Sequence, residues 1–274
     1  MPETSEVAAY YASGSLRDRI VAGLEQAGAR PPLNLDTLAQ FDEFHIGGRP
    51  ATKAFVQRLG LSAGSRILDL GCGLGGPARF IAKTTGARVT GIDLTREFVE
   101  VGRELTGMVL MVDRVELVQG SILDLPFQGD RFDVAYMIHV GMNIADKAAL
   151  AAEAARVLKP GGLFAIYDVM ATGTAPPTYP VPWASSADQS ALATPANYRA
   201  ALEGAGFRIE SETDRTAFAQ AVFAKRAELQ ADGLPVLGQH LVMGPDSATK
   251  IANLESAIND GRLAPVEIIA RLPE

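Results

Sequence analysis

The sequence predicts an α/β fold in which a doubly wound, mostly parallel sheet carries helices on both faces. Between about residues 64 and 170, short strand-like runs alternate with helical patterns. A glycine-rich turn at 71–76 follows the first run, and an alanine-rich helical pattern ends at the Lys-Pro-Gly-Gly of 159–162. Alternation of this kind builds parallel strands joined by right-handed crossovers.

Five short runs rich in apolar and β-branched residues are the predicted core strands. They are 65–70, 87–92, 115–119, 132–137 and 163–169. The helical patterns between them are 77–84, 98–105 and 146–158. Proline and glycine cannot continue the last helix, so we expect a turn at 159–162. Two further strands are predicted at 207–212 and 265–270.

The flanks of this core predict coverings over the sheet. Residues 1–63 read as an N-terminal helical cap, and 64–274 as the main domain. Within that domain, 171–260 combines a long loop rich in Pro, Thr, Ala and Ser with a helical lid. Loops of this length are often functional, so we expect the cap and the C-terminal lid insertion to enclose a site.

Composition excludes several classes of partner. The chain has 25 basic and 32 acidic residues, a formal net charge of −7, and no basic stripe, which argues against nucleic acid and anionic lipid as partners. No apolar run reaches the roughly 18 residues of a membrane span, and the start of the chain shows no secretory pattern. The one cysteine, Cys72, excludes an intrachain disulfide. We therefore expect a cytoplasmic protein with a small-molecule partner; its oligomeric state is not predicted.

The turn after the first strand has the spacing G-x-G-x-x-G, completed by Gly71, Gly73 and Gly76, with Gly75 inside it. In a Rossmann-like fold such glycines let a cofactor approach the backbone closely. The same glycines would also serve a tight turn that packs a helix against a strand. The motif alone therefore leaves both roles open.

Two acids beside this turn distinguish the ligands it could take. Asp69 precedes the first glycine by two residues, where a carboxylate would repel a dinucleotide pyrophosphate and attract the ammonium and sulfonium of S-adenosylmethionine. Asp93 follows the second strand, 93 − 71 = 22 residues beyond Gly71, where an acid accepts ribose hydroxyls. A helix N-cap is the alternative role for Asp93. Together they favour the methyl donor over NAD.

An ordered set of segments resembles the class I S-adenosylmethionine-dependent methyltransferases. The segments are 67–76, 91–95, 120–127, 132–134 and 156–162. The resemblance implies a seven-stranded sheet whose last strand, here 265–270, is antiparallel. It also implies that S-adenosylmethionine is the cofactor, with Leu94, Ser121, Ile122 and Ile138 as further contacts. Many relatives carry an adenine-binding acid where this chain has Ser121.

A narrower resemblance covers the flanks. The segment 41–52 resembles the one before the first strand in phosphoethanolamine and sarcosine/dimethylglycine N-methyltransferases, which closes over the methionine end of the cofactor. It implies that Ile46 and Gly47 contact the cofactor. Tyr11 resembles a lid tyrosine of the phosphoethanolamine enzymes, with helix–helix packing as the alternative.

His139 and Asn143 are the other candidate catalytic residues. His139 follows the fourth strand at its carboxyl end and titrates near neutral pH, which suits a general base; packing at the strand end is the alternative. Asn143 stands where relatives often carry a histidine, so the phosphoethanolamine chemistry does not transfer directly. It could orient an acceptor or cap the following helix. Trp183, in the long loop, could hold a methylammonium or anchor the loop.

These residues predict a methyltransferase that uses S-adenosylmethionine to methylate a nitrogen or oxygen of a small molecule by in-line transfer. The alternatives are an NAD(P)-dependent oxidoreductase and a non-catalytic module that binds the same cofactor. No metal is expected, because His45, His139 and His240 lack zinc-like spacing.

Overall fold

One sheet organises the computed structural model, which describes residues 4–229, 233 and 235–274; residues 1–3 of the expected cap lie outside the described residues. Its strands in the described chain are β1 (Arg66–Leu70), β2 (Arg88–Asp93), β3 (Val115–Gln119), β4 (Phe132–Ile138), β5 (Leu158–Ala171), β6 (Arg208–Asp214) and β7 (Leu263–Arg271). Their order is β3-β2-β1-β4-β5-β7-β6. β1 to β5 pair in parallel, and β7 is antiparallel to both β5 and β6. The predicted fold class is confirmed.

Helices pack on both faces of the sheet. Four precede the sheet: α1 (Thr4–Tyr11), α2 (Leu16–Gln26), α3 (Leu35–Asp42) and α4 (Gly48–Val56). Four follow strands within it: α5 (Gly76–Thr85), α6 (Arg96–Met108), α7 (Lys147–Val157) and α8 (Pro195–Gly204). Three stand between β6 and β7: α9 (Thr216–Leu229), α10 (His240–Met243) and α11 (Ser247–Asn259). No helix of the described residues has the length and apolar character needed to cross a membrane.

The central strands are buried on both faces, which explains their continuous apolar sequences. Along β1, Leu68 and Leu70 belong to one core cluster, whereas Ile67 belongs to the cluster on the opposite face. Along β4, Met137 and Tyr136 divide in the same way. Successive side chains of a strand point to opposite faces, so each face packs against its own layer of helices.

The predicted turn at 159–162, which was expected to separate the helix from the fifth strand, is wrong. The helix ends at Val157, close to its predicted end, but Leu158–Ala171 is one strand. The register between β4 and β5 shifts, so that Phe132 pairs with Leu158 and Val134 pairs with Leu163. Gly161 takes a φ of +76° inside this irregularity. Proline and glycine here make a bulge in a strand, because pairing continues on both sides of them.

Helices α2 and α3 of the N-terminal cap pack over the glycine turn and α6, whereas α4 packs on the middle of the sheet, where Phe55 contacts Tyr136 and Tyr167. Leu16, Leu38 and Phe41 of the cap share an apolar cluster with Leu74 and Phe98. Loop residues of the cap are also tied to α6, because the Glu97 carboxylate accepts hydrogen bonds from the N–H groups of 13, 14 and 16.

A fully buried ion pair joins the cap to α5. The Arg79 guanidinium donates to the Asp42 carboxylate at 2.7 Å, and both side chains are at most 1% exposed. Arg79 also donates to the Gly102 carbonyl at 3.2 Å and to the Thr106 hydroxyl at 2.9 Å. Removing one partner of such a pair leaves an uncompensated buried charge, which is strongly destabilising.

Arg79→Leu is expected to lower the free energy of unfolding by about 3–5 kcal/mol, because the Asp42 carboxylate loses its buried counter-charge. Denaturant titration at pH 7 measures this. Arg96→Leu is the matched control: its pair with Glu100 is solvent-exposed, so its removal should leave the free energy of unfolding almost unchanged. Equal losses in the two variants would show that the buried pair does not hold the cap.

Candidate functional site

A cavity of about 130 Å³ opens at the carboxyl ends of β1, β2 and β4, beneath the cap. This is the edge at which doubly wound sheets bind ligands. The turn after β1 and the residues that follow β2, β3 and β4 all contribute to its wall. Its lining includes the predicted cofactor contacts Asp69, Gly71, Gly73, Asp93, Leu94, Ser121, Ile122 and Ile138. We call it the first cavity.

Gly71 and Gly73 have different roles in its wall. Gly71 has a φ of +77°, and a Cβ there would lie 2.4 Å from a methyl group of Val140. Gly71 is thus required where the turn meets the loop after β4. Gly73 has a φ of +51°, and its nearest neighbour to an added Cβ is Phe98 at 3.9 Å. No protein atom blocks a Cβ at 73, and because Gly73 lines the cavity, a side chain there would occupy space that a ligand could use to approach the backbone.

Three predicted cofactor contacts lie away from this wall. Gly75 has a φ of +79° at the start of α5, and an added Cβ would meet Leu117 and Arg79. Ile46 and Gly47 line a second cavity instead, and the Ile46 carbonyl accepts a hydrogen bond from Tyr167. The contact of these three residues with a cofactor stays a prediction.

The two acids named from the sequence both reach the first cavity. Asp69 is buried and accepts a hydrogen bond from the Tyr136 hydroxyl at 2.7 Å; burial raises its pKa to about 7. Asp93 accepts from the N–H groups of Gly73 and Thr95, each at 2.8 Å. Burial raises the Asp93 pKa above its ordinary value. Each Asp93 oxygen keeps a second lone pair for a ligand hydroxyl.

A third acid, Asp42, lines the same cavity and was missed in the sequence. One of its oxygens pairs with Arg79, while the buried Oδ1 has no hydrogen-bond partner in the described chain. Only its position near the end of a cap helix could have signalled it. Burial lowers the pKa of His45 to about 4 and that of His139 well below its ordinary value.

Of the three carboxylates that line the first cavity, only Asp42 is paired with a cation, Arg79, which does not itself line the cavity. Among the described residues that line it there is no lysine or arginine, and its two histidines are neutral at pH 7. A ligand ammonium or sulfonium would compensate the buried negative charge, whereas a pyrophosphate would be repelled. The residues present fit S-adenosylmethionine. The described residues contain no group of three or more metal-ligating side chains suited to a metal ion.

The three candidate catalytic residues, Tyr11, His139 and Asn143, all line this cavity, and two of them are hydrogen-bonded to each other. The Asn143 amide donates to the Tyr11 hydroxyl at 3.3 Å and to the Val140 carbonyl at 3.2 Å. Tyr11 also packs on Phe98, with ring centroids 5.7 Å apart. Burial raises the Tyr11 pKa far above 10, so the phenol stays protonated at neutral pH. Tyr11 thus packs within the cap and presents a hydroxyl to the cavity.

His139 has a backbone that few residues other than glycine adopt, with a φ of +55°. Its N–H donates to the Tyr167 carbonyl at 2.7 Å, and the two rings lie 4.9 Å apart. The buried Nε2 atom has no hydrogen-bond partner among the residues described. Such an orphaned nitrogen, on a residue that lines two cavities, is available to a bound ligand.

The second cavity is larger, about 570 Å³, and lies between the cap and the lid. Its lining is mostly apolar and includes Phe44, Met142, Trp183, Phe223, Met243 and Leu254. Tyr11, Phe44, His45 and His139 line both cavities. Trp183 is 2% exposed and donates to the Ser190 hydroxyl at 2.9 Å, so it anchors the long loop and also forms cavity wall. The volume lies within the range of small-molecule sites.

His45 binds its own loop rather than facing a ligand freely. Its Nε2 lies 3.1 Å from both the Gly48 carbonyl and the Thr52 hydroxyl. From the sequence, His45 could either cap the site or only hydrogen-bond its own loop; the structure shows the loop hydrogen bonds and also places His45 in the walls of both cavities.

Comparison with known sequences places a family domain on this site. Residues 68–166 match the model of the family described as "Methyltransferase domain". Methyltransferase GfsG of Streptomyces halstedii is 34% identical over 171 residues, 62% of this chain and 59% of that protein. Glycine/sarcosine/dimethylglycine N-methyltransferase of Actinopolyspora halophila is 33% identical over 162 residues, 58% of this chain and 29% of that protein. The matches thus span less than two thirds of these relatives.

Solved structures share the fold at low sequence identity. Phosphoethanolamine N-methyltransferase 2 of Haemonchus contortus, solved with S-adenosyl-L-methionine, has a TM-score of 0.71 at 23% identity, covering 85% of this chain and 54% of that one. The [4+2]-cyclase SpnF has a TM-score of 0.68 at 20% identity, covering 99% and 97%. With the family match and the sheet order, residues 68–166 form a class I S-adenosylmethionine-dependent methyltransferase domain, which confirms the predicted family.

Ligand affinity is expected to depend on pH through Asp69. A bound ammonium favours the carboxylate, so binding lowers the Asp69 pKa from about 7. The affinity is therefore greatest well above pH 7 and falls as the pH decreases through 7, because a protonated Asp69 must lose its proton before it can bind the ammonium. The dissociation constant of S-adenosylhomocysteine should rise roughly eightfold between pH 7.5 and 6.0. Calorimetry at both pH values checks this. Asp69→Asn should bind more weakly with a flat profile; an unchanged slope in that variant would assign the titration to another group.

Proposed function

We propose that this protein transfers a methyl group from S-adenosylmethionine to a nitrogen or oxygen atom of a small molecule held in the second cavity. The observation that carries the proposal is the pairing of two cavities at His139: one lined by buried carboxylates that suit a cationic cofactor, the other large and apolar. When bound, S-adenosylmethionine supplies a methyl group already activated on a sulfonium. The protein's task is then mainly to position the acceptor.

Three acids and one serine are suited to bind different groups of the cofactor. Asp69 and the free oxygen of Asp42 suit its ammonium, and Asp93 suits the ribose hydroxyls. The Ser121 hydroxyl accepts from the Leu123 N–H at 3.1 Å, which leaves its own proton for the adenine. The bare backbone at Gly73 allows close approach.

His139 supports a nucleophile that must lose a proton. Its depressed pKa keeps the imidazole neutral at pH 7, so Nε2 can accept a hydrogen bond from an acceptor hydroxyl or amine. Tyr11, which lines both cavities, orients the acceptor beside it, and Asn143 positions the Tyr11 hydroxyl by donating a hydrogen bond to it. The competing outcome is methylation of a carbon nucleophile. A geranyl diphosphate methyltransferase shares this fold, with a TM-score of 0.66 at 20% identity over 81% of this chain and 84% of that one.

Cofactor binding alone does not decide the reaction. The fold match to a [4+2]-cyclase spans nearly all of both chains, and one fold hosts many chemistries. A non-catalytic module would likewise bind the cofactor. The test therefore needs a binding arm and a turnover arm.

The binding arm titrates S-adenosylhomocysteine, with NADH in parallel, against wild type, Gly73→Ala and Gly60→Ala. Both glycines have positive φ, +51° and +61°, but a Cβ at Gly60 meets nothing within 4 Å and lies outside the first cavity. We expect binding of S-adenosylhomocysteine only, weakened at least about tenfold by Gly73→Ala alone. NADH binding would support the oxidoreductase alternative. The turnover arm measures S-adenosylhomocysteine formation with amines, phenols and apolar alcohols; binding without turnover would favour the non-catalytic reading.

His139→Asn is expected to lower kcat by about 10²-fold or more, with cofactor affinity within about threefold of wild type. Asparagine tolerates the left-handed backbone of position 139, so the variant removes the imidazole without added strain. Steady-state kinetics with an acceptor that turns over, together with calorimetry, separate the two quantities. Loss of cofactor affinity with an unchanged kcat would make His139 a binding residue.

A further inference from the structure

Arg226 lies on the face of α9 that forms wall of the second cavity. Val222 and Phe223 also line that cavity and stand four and three residues before Arg226, so each lies on the same side of the helix as Arg226. Arg226 is half-buried, and it does not line the first cavity. An arginine in a mainly apolar wall needs a partner for its charge.

That partner is absent from the described protein. Arg226 has no hydrogen bond and no ion pair within 4 Å among the described residues, although the more distant Glu255 raises its pKa against the lowering effect of burial. The other arginine of the wall, Arg49, is paired with both carboxylates of the wall, with Glu43 at 2.6 Å and with the exposed Asp36 at 3.6 Å. Burial lowers the pKa of His240 and of His139, which keeps both neutral at pH 7.

Arg226 is therefore the one charged side chain in the described wall of the second cavity that has no ion pair within 4 Å. We propose that Arg226 binds an anionic group of the methyl acceptor, so that the acceptor is an apolar molecule carrying a carboxylate, sulfonate or phosphate. The planar guanidinium binds such oxyanions through two parallel hydrogen bonds. This inference rests on the proposed function, since it takes the second cavity as the acceptor site.

The position of Arg226 also determines the orientation of the bound acceptor. His139 lines both cavities, whereas Arg226 lines only the second. An acceptor whose anionic group pairs with Arg226 places its other end towards His139 and the first cavity. Arg226 then determines specificity without touching the transferred methyl group.

A matched pair of probes tests the charge separately from the shape. 8-Anilinonaphthalene-1-sulfonate and N-phenyl-1-naphthylamine share an aromatic skeleton, and only the first carries an anionic group. Binding is followed through the emission of Trp183, the one tryptophan of the chain, which lines the cavity. Wild type, Arg226→Gln, Arg226→Lys and Lys225→Gln are compared; Lys225 is exposed and adjacent on α9, so its substitution removes the same charge outside the wall.

We expect Arg226→Gln to weaken the sulfonate about tenfold, with Arg226→Lys intermediate and Lys225→Gln like wild type, while the neutral probe binds all four equally. Equal loss of both probes, no loss of the sulfonate, or no sulfonate binding by wild type would overturn the proposal. S-adenosylhomocysteine is titrated in the same proteins. Failure to bind it would refute the methyltransferase proposal, whatever the probes show, and normal binding shows that each variant is folded.

Discussion

The buried pair between Asp42 and Arg79 is the contact on which the first cavity depends, because it holds the N-terminal cap against the glycine turn. The approach is close: a Cβ on Gly76 would lie 2.3 Å from the Asp42 carbonyl oxygen. The third glycine of the motif thus admits the cap, in addition to beginning α5. One oxygen of the Asp42 carboxylate pairs with Arg79 and the other has no partner in the described chain, so the residue that ties the cap to α5 is also one of the acids that line the first cavity.

The sheet and the acidic edge could be predicted because their signals are local. A strand buried on both faces reads as a continuous apolar run, and the residue that follows it must lie at the carboxyl edge. Asp69 and Asp93 were found in this way, from their position beside strand ends. The antiparallel last strand came from the family resemblance, since nothing within 265–270 distinguishes the two directions.

The site residues that could not be predicted from the sequence lie on elements that come together only in the folded structure. Asp42 and Arg226 belong to helices far apart in the chain, and their roles follow from which cavity each helix covers. Ile46 and Gly47 were assigned by resemblance to a segment whose placement depends on the packing of the cap. The bulge at Gly161 escaped because proline and glycine are read as a turn unless the partner strand is known.

The left-handed backbone of His139 also limits how this site can change in evolution. Of the residues with side chains, asparagine, aspartate and histidine are those enriched in this conformation, whereas β-branched residues are excluded by clash. Tyr167 fixes the conformation by accepting the His139 N–H. Few single substitutions are therefore tolerated at position 139 if the protein evolves to use a new acceptor. Changes in acceptor specificity should instead arise from substitutions in the apolar wall of the second cavity, away from this left-handed backbone.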